Sequence, residues 1–379
     1  MTTLLMVGTR KGLWLGTSDD ARTAWSWTGP HFPMEEVYSV MIDRRGDRPR
    51  LLAGASSSWL GPQVWRSDDL GGSWDETANG AVRFPEGADA TVARVWQLQP
   101  GTPGDGSSGQ DGAGRVVWAG VEPGAVFRSD DRGEHFELVR GLWDHPHREE
   151  WNAGFGGQAF HTILPHPTDR DRVLVAISTG GVYVTTDGGV TWDPSNTGVK
   201  AEFFPGERNY PEFGQCVHKV ARDPVDPERL YLQNHGGVYR SDDGGVSWND
   251  IAAGLPTDFG FAMVTHPRRG DTAYTFPIDG ADGRWPVDGE ARVYRTTDAG
   301  SSWEALGEGN LPDDYFVAVM RDAMTSDDHD TAGLYFGGRN GAVWCSPDEG
   351  ATWQEIQKDL PDVLVVRAAR LDSSPGSQV

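Results

Sequence analysis

The chain has 379 residues, of which 37% are apolar and 23% charged, and it contains 50 glycines, 24 prolines and 16 tryptophans. This composition excludes a disordered chain, and because turns favour glycine and strands favour tryptophan it predicts an all-β protein. The formal net charge of −23 argues against nucleic-acid and membrane partners, since phosphate backbones and anionic lipid surfaces both need cationic side chains.

The ends of the chain predict a single domain in which the two termini meet. Residues 3–7 and 12–15 match the second and third strands of a four-stranded unit, whereas residues 363–367 match a first strand. Because an unpaired strand edge is a liability, we expect the last strand to complete the first unit. Residues 1–372 are then one domain, and residues 373–379 are a flexible tail.

An eight-residue pattern, Ser/Thr-x-Asp-x-Gly-x-Ser/Thr-Trp, recurs at a spacing of about 55 residues. A weaker copy ends in His135-Phe136, and a decayed copy lies at residues 17–20. Strand-like sequence fills each interval, which predicts a seven-bladed β-propeller with four strands in each blade. The aspartates of the pattern are Asp69, Asp131, Asp187, Asp243, Asp298 and Asp348.

The pattern has a structural explanation in a tight turn between two antiparallel strands. The aspartate accepts backbone N–H groups that the turn leaves without partners, and the glycine adopts a conformation closed to other residues. The tryptophan starts the outgoing strand and fills the space between neighbouring sheets. We therefore interpret the aspartates as structural and expect Trp192, Trp248, Trp303 and Trp353 to be largely buried.

These motifs resemble the Asp-box, or BNR, repeats of the sialidase-like propeller superfamily over nearly the whole chain. Gly-Gln-Cys-Val-His-Lys at 214–219 and Gln-Asn-His-Gly-Gly at 233–237 are similar to a bacterial family often labelled exo-alpha-sialidase or WD40/YVTN/BNR-like repeat protein. The resemblance implies a propeller but not one activity, because the superfamily includes glycosidases, sorting receptors and photosystem II assembly factors. The chain lacks the Arg-Ile-Pro element of sialidases, so no sialidase catalytic residue is transferred to it.

Candidate functional groups fall in the loops opposite the repeated turns, the face at which propellers bind ligands. Arg94, His161 and His218 each lie six residues before a proline and are expected to occupy one equivalent position in successive blades. The predicted catalytic residues are Glu122, Glu150, His161 and His218. The predicted ligand-binding residues are Arg94, Arg148, Trp151, His235, Arg10 and Arg339.

Three interpretations of these groups remain open from the sequence. They satisfy one another and fix the packing of the blades, or they perform acid–base chemistry on a glycoside-like or carboxylate substrate. In the third, His161, His218 and His235 bind a transition metal at the central channel, although the sequence requires no cofactor.

The main functional prediction is a ligand-binding or assembly propeller whose partner is a polar or anionic small molecule or a protein. The alternative is a hydrolase or lyase. The two cysteines form no CxxC pair, and the N-terminal residues lack the apolar run of a secretion signal, so we expect a cytoplasmic protein.

Overall fold

The computed structural model describes residues 2–59, 61–77, 82–104, 114–154, 156–201, 203–204, 209–280 and 283–371, and the predicted tail at 373–379 lies outside these ranges. The described residues are almost entirely β. Helical segments are short, at Arg140–Trp143, Pro146–Glu150 and Val287–Gly289. Across the described ranges, none of these helices has the length and apolar character needed to cross a membrane.

The strands form antiparallel groups that follow the sequence repeat. The chain begins with β1 (Thr2–Thr9), β2 (Gly12–Ser18) and β3 (Trp25–His31). Five four-stranded sheets follow. The first contains β4 (Glu36–Asp43), β5 (Arg50–Ser57), β6 (Gly61–Ser67) and β7 (Asp75–Glu76), and the second contains β8 (Arg94–Pro100), β9 (Val117–Glu122), β10 (Ala125–Ser129) and β11 (Glu137–Leu138).

The third to fifth sheets repeat this arrangement. The third contains β12 (Phe160–Pro165), β13 (Val173–Ile177), β14 (Gly181–Thr185) and β15 (Asp193–Pro194). The fourth contains β16 (Val217–Arg222), β17 (Leu230–Asn234), β18 (Val238–Ser241) and β19 (Asn249–Asp250). The fifth contains β20 (Gly260–Thr265), β21 (Ala273–Pro277), β22 (Val293–Thr296) and β23 (Glu304–Leu306). The chain then adds β24 (Val319–Ser326), β25 (Leu334–Gly338), β26 (Val343–Ser346), β27 (Gln354–Gln357) and β28 (Val363–Leu371).

The last five strands join the first three in one eight-stranded sheet, in the order β27-β26-β25-β24-β28-β1-β2-β3. β28 pairs antiparallel with β1 from Thr2 to Thr9. β24 and β28 share only one parallel pair, Asp322 with Val365. The repeat spacing predicts a strand that starts near Phe316, but Phe316 is 60% exposed and β24 begins three residues later, at Val319.

A β-bulge or similar register shift interrupts the first strand of each four-stranded sheet and also two strands of the eight-stranded sheet, β24 and β28. We call these the inner strands: β4, β8, β12, β16, β20, β24 and β28. Each inner strand contacts the next, and β28 contacts β4. A bulge leaves an extra residue outside the hydrogen-bonded ladder and redirects its side chain. The residues at these register shifts are Tyr38, Trp96, His161, His218, Phe261 with Ala262, 320–323, and Leu364.

The register corrects one expected equivalence. Counting from the prolines aligned Arg94 with His161 and His218, but β8 shifts between Val95 and Gln97, so Trp96 is the counterpart of the two histidines. Arg94 lies two residues earlier and pairs with Glu122 on β9. The count is displaced by two residues because the prolines are not equivalent: Pro100 ends β8, whereas Pro167 and Pro224 lie two residues beyond the ends of β12 and β16.

The repeated turns have the hydrogen bonding that the motif predicts. Asp187 Oδ1 accepts from Thr185 Oγ1 at 2.8 Å and from the Thr191 backbone N–H at 2.9 Å, while Oδ2 accepts from Thr191 Oγ1 at 2.6 Å. The same three bonds recur at Asp69, Asp243, Asp298 and Asp348. At Asp131 the ring of His135 replaces the hydroxyl. The aspartates therefore serve the turns.

The core lies between neighbouring sheets, where the motif tryptophans pack. Trp192, Trp248 and Trp353 are buried, whereas Trp303 is only half-buried. Trp248 packs with the apolar residues of the third and fourth sheets, and its Nε1 donates to the Ser195 carbonyl at 2.9 Å. The tryptophan thus links two sheets that share no strand pairing.

The substitution Trp248→Ala should lower the free energy of unfolding by about 3–5 kcal/mol, because it leaves a cavity and an unpaired carbonyl between the sheets. Urea unfolding measures the loss. Trp59→Ala is the matched control, since Trp59 is 94% exposed and its removal should change stability by less than about 0.5 kcal/mol. Equal midpoints for the two variants would contradict the assignment.

The turn aspartates predict how stability depends on acid. Hydrogen bonds from Thr191 and Thr185 lower the pKa of Asp187 from 3.8 to about 2. Since the folded pKa is depressed, the stabilisation is complete above the unfolded value and is lost as the pH falls from about 4 to about 2. The stability difference between the wild type and Asp187→Asn should therefore be constant above pH 5 and shrink below about pH 4. Thermal unfolding across this range tests it, and a difference independent of pH would refute it.

Candidate functional site

A cleft of about 1140 Å³ lies at the edge of the sheets opposite the repeated turns. Because the strands are antiparallel, the start of each inner strand and the end of the next strand meet at this edge. The bulges therefore supply much of the cleft wall. The bulge residues that line it are Tyr38, Trp96, His218, Phe261, Met320, Arg321, Asp322 and Leu364.

Seven of the predicted site residues line the same cleft. They are Arg10, Arg94, Glu122, Glu150, His218, His235 and Arg339. Most of them follow the second strand of a group, as the strand-direction argument expects. Arg10 follows β1, Glu122 ends β9, His235 follows β17 and Arg339 follows β25.

Charged side chains alternate in sign along one rim of the cleft. Arg10 is near the centre of the series and contacts both Glu36 and Asp362. Each remaining member has an oppositely charged neighbour. The contacts are Arg339–Asp362 at 2.8 Å, Asp362–Arg10 at 3.3 Å, Arg10–Glu36 at 2.7 Å, Glu36–Arg94 at 3.6 Å and Arg94–Glu122 at 3.0 Å. This network fixes the orientation of the side chain at its end, Glu122.

Glu122 is a carboxylate that two donors hold in place at the cleft wall. Its Oε2 accepts hydrogen bonds from Arg94 Nη1 and Trp96 Nε1, each at 3.0 Å. A Cβ atom at Gly157, where φ is +93°, would lie 2.6 Å from Glu122 Oε1, so this position requires glycine. Glu150 differs, because it is exposed at the end of the helical turn Pro146–Glu150.

Three of the predicted residues lie outside the cleft wall. His161 is fully buried, and its Nε2 contacts the Val217 carbonyl at 2.9 Å. Arg148 stacks on the ring of Trp143, with its guanidinium carbon 3.3 Å from the ring centroid. Trp151 is buried and donates from Nε1 to the Tyr183 hydroxyl at 2.9 Å. These contacts place the three side chains in the packing behind the cleft, so we do not carry them into the proposed site.

One wall of the cleft brings together Cys216, His218 and His235, with one potential ligand atom of each within 4.8 Å of the others. The His218 Nδ1–H donates to the Gly260 carbonyl at 2.6 Å, which leaves Nε2 facing Cys216 Sγ at 3.7 Å. Burial lowers the pKa of His218 to about 3, so its ring is neutral. The sequence analysis included the two histidines but not the cysteine, although a Cys-x-His spacing at a strand start was a usable signal.

A buried cation forms part of the cleft floor. Arg321 is 6% exposed, and its Nε and Nη1 atoms have no hydrogen-bond partner among the described residues. Its guanidinium carbon lies 5.0 Å from the ring centroid of Trp96 and 6.0 Å from that of Phe261. Burial lowers the pKa of Arg321. Burying a guanidinium without a matching anion is costly, so this arrangement is expected to serve a ligand.

The neighbouring carboxylate, Asp322, has its own partners. It accepts from Lys219 Nζ at 2.7 Å and from Arg367. Burial raises the pKa of Asp322, but the two cations outweigh burial and hold it well below its usual range. Asp322 therefore neutralises Lys219 and Arg367, and Arg321 has no hydrogen-bonded anion in the part of the chain that the structure describes. No pattern in the sequence distinguished Arg321 from the surface arginines, because its position depends on a register shift of three residues in β24.

Comparisons with known proteins find that the chain is similar in sequence to glycosidases. No protein-family model matches the chain. It is 26% identical over 233 residues to a xyloglucanase of Acetivibrio thermocellus, which is 54% of this chain and 26% of that enzyme. It is 25% identical over 277 residues to a xyloglucanase of Hypocrea jecorina, which is 64% of this chain and 30% of that enzyme. The chain thus spans less than a third of the length of these relatives.

Solved structures support a β-propeller fold. An ancestral GH74 enzyme superposes with a TM-score of 0.56 at 18% identity, covering 90% of this chain and 39% of that one. YCF48 from Cyanidioschyzon merolae superposes with a TM-score of 0.52 at 12% identity, covering 86% of each chain. At these identities the likeness concerns the fold alone.

These findings correct the main functional prediction. The predicted ligand-binding or assembly role is wrong, because the curated relatives are xyloglucanases. The alternative, a hydrolase acting on a glycoside-like substrate, agrees with them. The relatives named here are not sialidases, so the sialidase-like name stays a prediction.

The buried guanidinium of Arg321 is expected to lower the free energy of unfolding, because two of its nitrogen atoms have no hydrogen-bond partner among the described residues. Arg321→Met keeps most of the side-chain stem and removes a buried charge, so the free energy of unfolding should rise by about 1 kcal/mol or more. Lys219→Met is the matched control: it removes a partner of buried Asp322 and should destabilise the protein by about 3 kcal/mol. Urea unfolding measures both, and destabilisation by Arg321→Met would show that the arginine is structural.

Proposed function

We propose that this protein is a glycoside hydrolase built on a seven-bladed Asp-box β-propeller, and that it cleaves an acidic saccharide bound in the cleft. The observation that carries the proposal is its similarity to xyloglucanases over more than half of the chain, together with a cleft whose wall presents Glu122 and Glu150. Glycosidic hydrolysis commonly requires two carboxyl groups on opposite sides of the scissile bond.

The seven-bladed architecture rests on the strand pairing. Five groups of four strands are separate sheets, and the eight-stranded sheet divides at the single parallel pair between β24 and β28. Division there gives one blade of β24 to β27 and another of β28 with β1, β2 and β3. The contacts of the inner strands in sequence, with β28 against β4, support a ring closed by the C-terminal strand over residues 1–372.

Glu122 and Glu150 are proposed as the two catalytic carboxyl groups. Glu122 is oriented by two donors, which suits a carboxylate that acts as a base or nucleophile at a fixed position. Glu150 is exposed and borders the opening of the cleft, where it can exchange a proton with water. The aromatic rings of Tyr38, Trp96 and Phe213 provide apolar faces for the sugar rings.

An acidic substrate is proposed because of Arg321. A carboxylate on the sugar would give the buried guanidinium the hydrogen-bonding anion that the described residues do not supply. Arg94 lies on the same cleft wall but is already paired with Glu36 and Glu122. Arg321 is therefore the side chain expected to discriminate an acidic saccharide from a neutral one. We also retain a cytoplasmic location as a proposal, supported by the two free cysteines.

Release of reducing ends from xyloglucan, a neutral β-glucan and a uronic-acid polysaccharide tests the activity. We expect hydrolysis of the uronic-acid substrate, with kcat reduced by about 100-fold or more in Glu122→Gln and Glu150→Gln. Glu308→Gln, at an exposed glutamate outside the cleft, is the matched control and should keep full activity.

The variant Arg321→Met tests the proposed substrate class independently of the proposed hydrolase activity. It should raise KM for the acidic substrate by at least about tenfold and leave neutral substrates unaffected. Activity confined to neutral substrates would overturn the assignment of an acidic substrate but not that of a hydrolase. No activity on any of the three polysaccharides, or a fully active Glu122→Gln, would overturn the hydrolase.

A further inference from the structure

The cluster of Cys216, His218 and His235 has a chemistry that carboxylate-based hydrolysis does not use. Its three potential ligand atoms converge within 4.8 Å, and all three residues line the cleft. A thiolate with two imidazoles is a ligand set that borderline-soft transition metals prefer over magnesium or calcium, which favour oxygen. The residue types of the cluster are therefore suited to binding a transition metal ion.

We infer that Cys216, His218 and His235 form a binding site for a single Zn²⁺-class transition metal ion, with its fourth coordination position open to the cleft. A tetrahedral site with metal–sulfur and metal–nitrogen bonds of about 2.3 and 2.0–2.1 Å places ligand atoms about 3.4–3.6 Å apart. The separation of 3.7 Å between Cys216 Sγ and His218 Nε2 is close to that range, and the three ligand atoms, which lie within 4.8 Å of one another, would move closer together around an ion.

The surrounding residues hold the ligands in position. The Gly260 carbonyl accepts from His218 Nδ1, and this second contact directs the Nε2 lone pair towards the cysteine. The backbone N–H of His235 donates to the Cys216 carbonyl at 2.9 Å, which joins the start of the inner strand to the loop after β17. Phe259 lies 5.3 Å from the ring centroid of His218 and 4.9 Å from that of His235, so both rings are packed.

The site differs from the metal site that the sequence predicted. That prediction joined His218 and His235 with His161, but the Nε2 of His161 contacts the Val217 carbonyl within the protein interior. Cys216 takes its place because it precedes β16 and faces the same wall as His218. The exchange matters chemically, since a thiol loses its proton to solvent when it binds the metal, whereas a neutral imidazole releases none.

The charge around the site predicts what occupies the open position. A divalent ion with one thiolate keeps a net charge of +1, and Arg321 adds a second positive charge to the same cleft. The open position should therefore favour an anion, either hydroxide or an acidic group of a ligand. The same charge opposes metal binding, so the removal of Arg321 should strengthen it.

Titration of the chelator-treated full chain with Co²⁺ alone, followed by competition with Zn²⁺, tests the site. We expect one ion per chain and a cobalt–thiolate charge-transfer absorption that Zn²⁺ abolishes. Cys216→Ser should remove that absorption, His235→Gln should weaken binding by more than about tenfold, and Arg321→Met should strengthen it. Cys345→Ala is the matched control, because this second free cysteine lies outside the cleft.

Two results would overturn the inference. One is a natively folded wild type, verified by circular dichroism, that takes up no Co²⁺ or Zn²⁺. The other is uptake that both Cys216→Ser and His235→Gln leave unchanged, which would place the ion on acidic side chains elsewhere. If Cys216→Ser fails to fold, metal binding by His235→Gln still tests the site, since His235 is only half-buried. Neither readout uses glycosidase activity, so the metal site and the proposed hydrolase can fail separately.

Discussion

The cleft depends on the β-bulges of the inner strands, all but one of which supply a residue to its wall. A regular strand alternates its side chains between two faces, both of which are buried between sheets here. An extra residue outside the ladder can be directed elsewhere without disturbing the core, and in this chain it faces the cleft at Trp96, His218, Phe261 and Leu364. The bulges thus separate residues that hold the sheets together from residues that are free to carry chemistry.

The repeated turns occupy the opposite edge of the sheets. Because the turns and the cleft loops lie at different edges, the loops can differ in sequence while the turns stay the same. Each turn aspartate satisfies its own backbone and side-chain donors, so the turns need no help from the loops at the other edge. Those loops can therefore vary in length and composition from one group to the next. The helical segment Pro146–Glu150, with Arg148 packed on Trp143, is one such variation and brings Glu150 to the cleft.

The arginines of the cleft differ in how they are neutralised, in a protein whose net charge is −23. Arg10, Arg94 and Arg339 are matched by carboxylates along the rim, whereas two nitrogen atoms of Arg321 on the floor have no partner among the residues that the structure describes. Because a low-dielectric floor strengthens electrostatic interactions, the unpaired group has more influence on ligand choice than the rim. Its cost to folding is the expected consequence of a site prepared for an anion.

The sequence by itself determined the repeat, the turn chemistry and the edge of the sheets at which functional groups gather. These follow from local rules: Asp187 and its counterparts bond within their own turns, and strand direction alone assigns Glu122, His235 and Arg339 to one edge. Only the tertiary structure decided which of those side chains face the cleft.

Trp96 rather than Arg94 lies in line with His218, because Pro100 ends its strand whereas Pro224 lies two residues beyond the end of its own. The buried carbonyl of Val217 contacts the His161 ring and holds it away from the cleft. Cys216 and Arg321 acquired their roles from neighbours 19 to 225 residues away, such as His235 beside Cys216 and Trp96 beside Arg321. Contacts of that range depend on strand register and packing, which no local pattern in the chain records.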